Sequence, residues 1–393
     1  MKSSEINLLQ PRRRAWAEID LDALAHNVSQ LRSLLKGGCE LMAVVKADAY
    51  GHGYEKTAQR LQREGVSAFA VAALIEGIQL REAGIKGEVL VLGYTQPRDV
   101  SLLNNYSLTQ LVVDGAYAKA LNDAADRRLN VHIAVDTGMH RLGIDSSKLD
   151  EIKSVFKCTN LNVTGMATHF ASCDSLDADD TAFTNRQIKL LNDIVNLLKS
   201  EGCNTGKIHA QSSFGIVNYC DAQYDYARAG IMLYGVKSQN TETKKNPPLR
   251  PVLSLRAVIA QVRWIDAGES VSYGRTFKTD KPLKLATVCI GYADGIPRQM
   301  SGRGGMCIVN GIKVPIIGRI SMDMLTADVT SVDNAEAGDI ATLIGHDQGA
   351  QISCEDAAAA AGTITNDFLC RLGSRLPRIY LGDNAIPENT LLL

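Results

Sequence analysis

The segment AVVKADAYGHG, residues 43–53, places a lysine where chemistry could occur. An apolar run typical of a buried strand ends at Lys46, and a polar turn bounded by glycines follows at once. A lysine at the end of a buried strand is partly removed from water, which disfavours its ammonium form and makes the amine a better nucleophile and Schiff-base former. Lys46 could therefore carry a carbonyl cofactor, although a lone lysine at such a place is more often only the polar residue that closes a strand.

Further polar residues follow other apolar runs of the chain. Arg141, His169, Ser212 and Arg228 each finish or closely follow such a run, as Lys46 does. If the runs are parallel strands of one barrel, their carboxyl ends meet at one face, which is where such barrels carry their chemistry. The pattern therefore predicts one site that contains all five side chains.

The runs themselves predict the fold of the first part of the chain. Eight short apolar runs alternate with helix-period segments, and the first four start at intervals of roughly 20 residues, the length of one β/α unit. This pattern predicts an α/β barrel of the TIM-like (β/α)₈ type. The eight predicted strands are LMAVVK (41–46), SAFAV (67–71), EVLVL (88–92), TQLVV (109–113), NVHIAV (130–135), LNVTGM (161–166), KIHAQ (206–210) and DYARAG (225–230).

A change of period marks a second domain. The segment TETKKNPPLRP, residues 241–251, is polar and contains prolines, as linkers do. Beyond it, apolar residues alternate or run between glycine turns, which predicts a mostly β C-terminal domain. We expect a barrel over residues 14–243 and the second domain over 244–393, with which residues 1–13 could associate. The early strand AWAEID (15–20) has no place among the eight and should join the second domain or cap the barrel.

Composition excludes several classes of partner. The chain has 393 residues, 45% of them hydrophobic and 22% charged, with a net charge of -1, so we predict a soluble protein that binds no nucleic acid. No stretch resembles a signal peptide or a membrane span, which predicts a cytoplasmic protein without a membrane partner. The nine cysteines and seven histidines are scattered, so neither disulfides nor a metal site is expected.

Seven motifs, in order, resemble those of the alanine racemase family. AVVKADAYGHG, with Lys46 and Tyr50, is similar to the family's attachment motif for pyridoxal 5′-phosphate (PLP). The other matching motifs are DTGMHRLG with Arg141, THF with His169, QSS with Ser212, ARAGIMLYG with Arg228, Gly230 and Ile231, VSYGRTF with Tyr273, and GRISMDM with Met322. The likeness runs nearly from end to end of the chain and implies a PLP-dependent amino-acid racemase.

The resemblance also implies a role for two proton-transferring groups. PLP takes up the charge that is left when the α-proton of an amino acid is removed. Inversion needs acid–base groups on opposite faces, because one group can only return the proton to the face that it left. By resemblance, Lys46 serves the D-isomer and Tyr273 the L-isomer. The family further implies an antiparallel homodimer in which Tyr273 and Met322 reach the Lys46 site of the partner.

The resemblance assigns the remaining residues to the cofactor and substrate. Arg141, which contacts the substrate region, and His169 would supply positive charge that favours the phenolate of Tyr273. Arg228 would face the pyridine nitrogen and, because a guanidinium does not give up its proton, would leave that nitrogen unprotonated. The phosphate would be held by Tyr50, by Ser212 and by the backbone N–H groups of Gly230 and Ile231.

Two positions depart from the family pattern. Ala134 stands where many members carry a carbamylated lysine that orients the arginine, so Arg141 must be held by a bound anion such as chloride or by another side chain. Ser374 stands where a tyrosine usually touches the phosphate and closes the substrate pocket, a change shared with the serine/alanine racemase domains of vancomycin-resistance proteins. A small pocket rejects an added hydroxyl only about a hundredfold, so we expect alanine racemisation with some serine activity, or a serine racemase of the resistance type.

Two hypotheses of other classes remain open at this point. Some PLP-binding barrels handle the cofactor without turnover, but they are single-domain proteins, and the second domain with Tyr273 speaks against that reading. An amino-acid decarboxylase of the same barrel-plus-β architecture would break a different bond of the same substrate class. Release of carbon dioxide would identify it.

Overall fold

The computed structural model describes residues 14–222 and 224–382, so the predictions for residues 1–13 and 383–393 lie outside it. Its strands, in chain order, are β1 (Ala15–Asp20), β2 (Glu40–Val44), β3 (Ala68–Val71), β4 (Glu88–Val91), β5 (Thr109–Val112), β6 (Leu129–Asp136), β7 (Ile144–Asp145), β8 (Leu161–Ala167), β9 (Lys207–His209), β10 (Tyr226–Ala229), β11 (Leu253–Ile265), β12 (Ser270–Val271), β13 (Phe277–Lys278), β14 (Leu283–Val288), β15 (Met306–Val309), β16 (Ile312–Ile317), β17 (Leu325–Asp328), β18 (Ile340–Asp347), β19 (Ala350–Ile352) and β20 (Arg378–Leu381).

The helices lie mostly between the strands of the first half. They are α1 (Leu21–Arg32), α2 (Tyr54–Arg63), α3 (Leu74–Glu82), α4 (Val100–Asn105), α5 (Gly115–Ala124), α6 (Leu149–Phe156), α7 (Ala178–Ser200), α8 (Ser213–Asn218), α9 (Cys354–Ala360) and α10 (Thr365–Cys370). Short 3₁₀ turns include Ile231–Tyr234, after β10, and Tyr273–Arg275, in the second half.

Eight parallel strands close into a barrel. Hydrogen-bonded neighbours follow the order β2, β3, β4, β5, β6, β8, β9 and β10, and β10 pairs again with β2. Each of the eight predicted apolar runs corresponds to one of these strands, so the predicted (β/α)₈ barrel is confirmed. The two-residue strand β7 pairs with the end of β6, outside the ring.

The barrel strands are apolar because helices cover them on one side and the barrel interior fills the other. All four residues of β3 and all four of β10 are buried. Arg228 in β10 is therefore a charged side chain in an otherwise apolar environment, 6% exposed. A buried charge requires compensating partners, which is the first sign that this position serves the site.

Eight strands of the second half of the chain, together with β1, form a nine-stranded sheet, so the predicted mostly β C-terminal domain is confirmed. The strand order is β19, β18, β15, β16, β17, β14, β11, β1 and β20, and β18 also pairs with β11. Strand β1 runs antiparallel to β11, with Ala15 opposite Ala257, and parallel to β20. The strand AWAEID thus pairs with the second sheet, one of the two places expected for it, while the domain bounds 14–243 and 244–393 stay a prediction.

The second domain also contacts the mouth of the barrel. Two guanidinium nitrogens of Arg378 donate hydrogen bonds to the carbonyl of Gly51, at 3.1 and 3.0 Å. Gly51 itself lies so close to α10 that a Cβ there would be 2.3 Å from the carbonyl oxygen of Leu369. The polar turn that follows Lys46 is therefore packed between the two domains.

No helix in residues 14–222 and 224–382 combines the length and apolarity that a membrane crossing requires. The predicted cytoplasmic location stays a prediction.

Candidate active site

The carboxyl ends of the barrel strands surround a cavity of about 440 Å³. Its walls carry three cationic side chains, Lys46, Arg141 and Arg228, against one carboxylate, Asp136. This imbalance of charge suits an anionic ligand. The predicted site residues that line the cavity are Lys46, Tyr50, Arg141, His169, Ser212, Arg228, Gly230 and Ile231.

Lys46 begins the turn that follows β2, and its amine lies in the cavity. Burial, followed by the positive charge of Arg141, lowers the pKa of this amine from its usual value. The amine makes no hydrogen bond or ion pair with any residue of the described parts of the chain. A larger fraction of neutral amine and an unoccupied lone pair are what Schiff-base formation requires.

The turn after Lys46 is left-handed. Four successive residues, Ala47 to Tyr50, have φ angles of 53, 54, 54 and 53°. The turn directs the side chain of Tyr50 to the 3₁₀ turn at Gly230, where a Cβ would lie 2.7 Å from the tyrosine hydroxyl oxygen. Only glycine permits this approach. Burial raises the pKa of Tyr50, so its hydroxyl stays a hydrogen-bond donor.

The other wall beside Tyr50 offers further donors. Ser212 lines the cavity, with its hydroxyl 3.4 Å from the Cys173 sulfur. Ile231 is the first residue of its 3₁₀ turn, and the first N–H groups of a helical turn have no partner within it. Tyr50, Ser212 and Ile231 together form a cradle for an anion such as a phosphate.

Arg228 is held by a buried hydrogen-bond network inside the barrel. It donates to the carbonyls of Thr168 and Ala210, at 2.7 and 2.9 Å, and to Nδ1 of His209 at 2.6 Å. His209 Nε2 lies 2.8 Å from His132 Nδ1, and His132 Nε2 lies 2.9 Å from a carboxylate oxygen of Glu88.

Each hydrogen bond between Arg228, His209 and His132 has a fixed donor and a fixed acceptor. Because Arg228 can only donate, His209 must accept at Nδ1 and carry its proton at Nε2, which it gives to His132. His132 in turn carries its proton toward Glu88. Two imidazoles thus lie between a buried guanidinium and a carboxylate at the start of β4.

His169 differs from its expected charge. Its Nδ1 lies 3.1 Å from an Arg228 nitrogen, and burial together with Arg228 and Arg141 lowers its pKa to about 3. The imidazole is therefore neutral near pH 7, whereas the sequence suggested that it would supply positive charge. Of the two side chains expected to supply this charge, only Arg141, which is exposed, is left, and its role stays a prediction.

Ala134 and Arg141 both line the cavity. Within the described residues Arg141 makes no hydrogen bond or ion pair, so no side chain takes the orienting part that a lysine at position 134 would play. Of the two groups expected to hold Arg141, another side chain is not found among the described residues, and a bound anion stays a prediction.

Tyr273, Met322 and Ser374 do not line this cavity. Tyr273 is 68% exposed and Met322 is 52% exposed on the second domain, and Ser374 is also exposed. The single chain therefore does not bring these three predicted residues to Lys46.

Sequence reasoning missed other residues of the cavity. Ser213 accepts the backbone N–H groups of Gly230 and Met232, at 2.9 and 3.3 Å, and shapes the cradle; its place beside Ser212 was the available signal. Asn366, from α10, also lines the cavity, and its buried amide oxygen has no hydrogen-bond partner in residues 14–222 and 224–382. Nothing in the sequence indicated it.

These features test whether PLP fits. The cofactor offers an aldehyde for Lys46, a phosphate for the cradle, a ring nitrogen that could accept from Arg228, and a hydroxyl that could satisfy a buried acceptor. The residues present match these groups in chemical type, and the site fits the cofactor.

Comparison with known proteins gives the same family along the chain. The model for the N-terminal domain of alanine racemase matches residues 19–238, and that for its C-terminal domain matches residues 252–380. An alanine racemase from Clostridium perfringens strain SM101 is 38% identical over 379 residues, which are 95% of this chain and 97% of that protein. An amino-acid racemase from Enterococcus faecalis is 40% identical over 364 residues, 92% of this chain, but this chain spans only 51% of that relative's length.

A solved structure extends the comparison to the cofactor. The alanine racemase from Bartonella henselae with covalently bound pyridoxal phosphate superposes with a TM-score of 0.81 at 31% identity, over 94% of this chain and 99% of that one.

Proposed function

This chain belongs to the alanine racemase family, and we propose that it interconverts L- and D-alanine, with some serine activity, by proton transfer at Lys46 and Tyr273. Its cofactor is PLP. The observation that carries the proposal is the convergence of Lys46, Arg228 and Tyr50 on one cavity that suits this cofactor. When bound, PLP supplies a conjugated ring that accepts the charge left by the departing α-proton.

Lys46 has two tasks in this proposal. Its amine binds the cofactor between turnovers, and during turnover it takes or returns the α-proton on one face of the substrate. The lowered pKa of Lys46 favours both tasks, because each needs the neutral amine at moderate pH. Tyr50, Ser212 and the N–H group of Ile231 hold the phosphate and so orient the ring. The Gly230 N–H, which the resemblance also assigned to the phosphate, instead donates to Ser213.

Arg228 sets the character of the ring. It donates to the pyridine nitrogen, while its other N–H groups remain bound to Thr168, Ala210 and His209. A ring nitrogen that receives a hydrogen bond but no proton is a weaker acceptor of charge, which limits the side reactions of PLP enzymes. The fixed donor direction of the His209 network supports this role, since Arg228 cannot turn without leaving buried acceptors unpaired.

Tyr273 acts from a second copy of the chain. Two sets of exposed side chains support an antiparallel homodimer. Tyr273 and Met322 lie on the second domain, and Ile75 and Tyr94, 59% and 55% exposed, lie in the first turn of α3 and in the loop after β4. The burial of these large apolar side chains against a second copy would stabilise such a dimer. In the dimer, Tyr273 approaches the face of the substrate opposite Lys46, and Arg141 favours its phenolate.

The substrate preference depends on Ser374. A serine in place of a tyrosine leaves room beside the β-carbon, and its hydroxyl can bond a substrate hydroxyl. A preference for serine over alanine is the second candidate. It rests on the residue type at position 374, since Ser374 does not line the cavity of the single chain.

A hydrogen-exchange experiment tests the two-base mechanism. The Tyr273→Phe variant, loaded with PLP in D₂O, should exchange the α-hydrogen of D-alanine through Lys46 while racemising both isomers at least a hundredfold more slowly. The α-hydrogen of L-alanine should exchange no faster than L-alanine is slowly converted to D-alanine by this variant. Tyr106→Phe is the matched control, because within the described residues the one hydrogen bond of its hydroxyl goes to Glu82 in α3, outside the cavity.

Equal exchange of both isomers by Tyr273→Phe would contradict the two-base assignment.

Two further measurements test the cofactor lysine and the reaction type. Reduction of the holoenzyme with borohydride, followed by peptide mapping, should show the cofactor on Lys46. Release of carbon dioxide from the substrate would instead favour a decarboxylase.

A further inference from the structure

The backbone that follows Lys46 is held in a conformation that its own residues do not favour. Ala47, Asp48, Ala49 and Tyr50 are all left-handed, with positive φ angles. Except for glycine, this conformation is unfavourable for L residues because Cβ approaches the following carbonyl oxygen. Contacts from outside the turn must therefore keep it in place, and with it the direction of the Lys46 side chain.

One carboxylate makes such contacts. Glu76 accepts the Ala47 N–H at Oε1, at 2.6 Å, and the Ala72 and Ala73 N–H groups at Oε2, at 2.7 and 3.0 Å. Ala47 follows Lys46 directly, at the end of β2, whereas Ala72 and Ala73 follow β3. Glu76 thus connects the ends of two neighbouring barrel strands at the mouth of the cavity.

Two of these bonds have an ordinary explanation. Glu76 is the third residue of α3 and Ala73 is its N-cap, and a glutamate at that position commonly accepts the N-cap N–H. The bond to Ala47, 29 residues earlier in the chain, does nothing for α3. It fixes the first peptide of the left-handed turn.

Glu76 also stands out electrostatically. The charged or ionisable groups that act on the Lys46 amine are Arg141, Arg228, Cys370 and Glu76. Glu76 is the carboxylate of this set and opposes the two arginines.

We propose that Glu76 is a positioning residue for the cofactor lysine, tying the backbone beside Lys46 to the next strand while its charge acts on the Lys46 amine. The inference rests on the proposed function, because it requires Lys46 to be the residue that binds PLP.

Three variants separate position from charge. Glu76→Gln removes the charge and replaces one acceptor oxygen with an amide nitrogen. Glu76→Asp keeps the charge but is one methylene too short to reach both strand ends. Glu151→Gln is the matched control, because Glu151 accepts the Gly115 N–H at 2.9 Å at the start of α5 and does not act on Lys46.

The readout is the loading of PLP into the cofactor-free protein, followed by the absorbance of the bound cofactor across a pH series. Loading requires the neutral amine, so its rate rises with pH through a midpoint set by Lys46. For Glu76→Gln we expect a midpoint at lower pH and a plateau rate about tenfold lower, the factor expected for one lost hydrogen bond to a charged group. Glu76→Asp should keep the wild-type midpoint but show the lower plateau, and Glu151→Gln should change neither.

Loading of Glu76→Gln with the wild-type midpoint and plateau would overturn the proposal. The proposal would also be overturned if Glu76→Gln lost as much thermal stability as Glu151→Gln and kept the wild-type midpoint. That result would mean that Glu76 acts only as a cap of α3. Borohydride reduction and peptide mapping of the wild-type protein separate a failure of the Glu76 proposal from a failure of the proposed function. Cofactor on a residue other than Lys46 would refute the proposed function itself.

Discussion

Two buried neutral histidines predict how the stability of the fold changes with pH. His52 is 1% exposed, its Nδ1 lies 3.0 Å from the carbonyl oxygens of Ala49 and Tyr50, and its pKa is lowered to about 4, mainly by burial. His209 is fully buried in the Arg228 network, and burial and Arg228 hold its pKa well below the usual value. His169 faces the cavity, where a bound anion changes its surroundings, so the prediction uses the other two.

The sign follows from proton binding. In the unfolded chain each histidine takes up a proton as the pH falls through its ordinary pKa of about 6.5, whereas the folded protein keeps both neutral. The contribution of these two histidines to the free energy of unfolding is therefore fully present above that pH and is lost as the pH falls below it. At pH 5, about 1.5 units below the unfolded pKa, each histidine should have removed about 2 kcal/mol, or about 4 kcal/mol together relative to pH 8.

His209→Gln isolates one of these contributions. The glutamine oxygen can accept from Arg228 and its amide can donate to His132, so the network keeps its partners without a group that titrates. The free energy of unfolding in urea, at fixed protein and PLP concentration, should fall between pH 8 and pH 5 by about 2 kcal/mol less in the variant than in the wild type.

His346→Gln is the control, because His346 lies exposed on β18 and should leave the pH dependence unchanged. A difference between His209→Gln and wild type below about 0.5 kcal/mol, within the error of such measurements, would refute the reasoning. It would mean that His209 is not held neutral in the fold.

Two further predictions concern the phosphate cradle and the substrate preference. Gly230→Ala places a Cβ 2.7 Å from the Tyr50 hydroxyl and should displace this hydroxyl. The amount of PLP retained after dialysis should then fall about tenfold, while the melting temperature of the cofactor-free protein changes little. Unchanged retention of PLP would show that Tyr50 does not hold the phosphate. Ser374→Tyr should lower kcat/KM for L-serine relative to L-alanine by about tenfold or more, measured by chiral analysis of both products; an unchanged ratio would remove Ser374 from the specificity argument.

The barrel and most of its site could be predicted because they depend on local patterns. Parallel strands covered on both sides are apolar runs of nearly regular spacing, and the residues that follow them must meet at one face. Lys46, His169 and Ser212 were found in this way.

Other features depend on contacts between distant residues. Ala47 to Tyr50 include no glycine, so no local signal predicts a left-handed turn there; it follows from contacts such as that of Glu76. The place of β1, between β11 and β20, is set by partners more than 230 residues away, such as Ala257 for Ala15. The neutrality of His169 follows from burial beside arginines that a sequence cannot place.

In the proposed mechanism, the second domain would contribute to catalysis in two different ways. In its own chain, Arg378 binds the Gly51 carbonyl and α10 covers the same glycine, so the domain closes over the turn that carries Lys46 and Tyr50. A barrel without this domain would lack these contacts, and the left-handed turn would lose part of what holds it. In the proposed dimer the same domain carries Tyr273 to the partner. The second domain would thus hold Lys46 in place in its own chain and supply Tyr273 to the barrel of the partner. Proton transfer on both faces of the substrate would therefore require the two-domain chain and not the barrel alone.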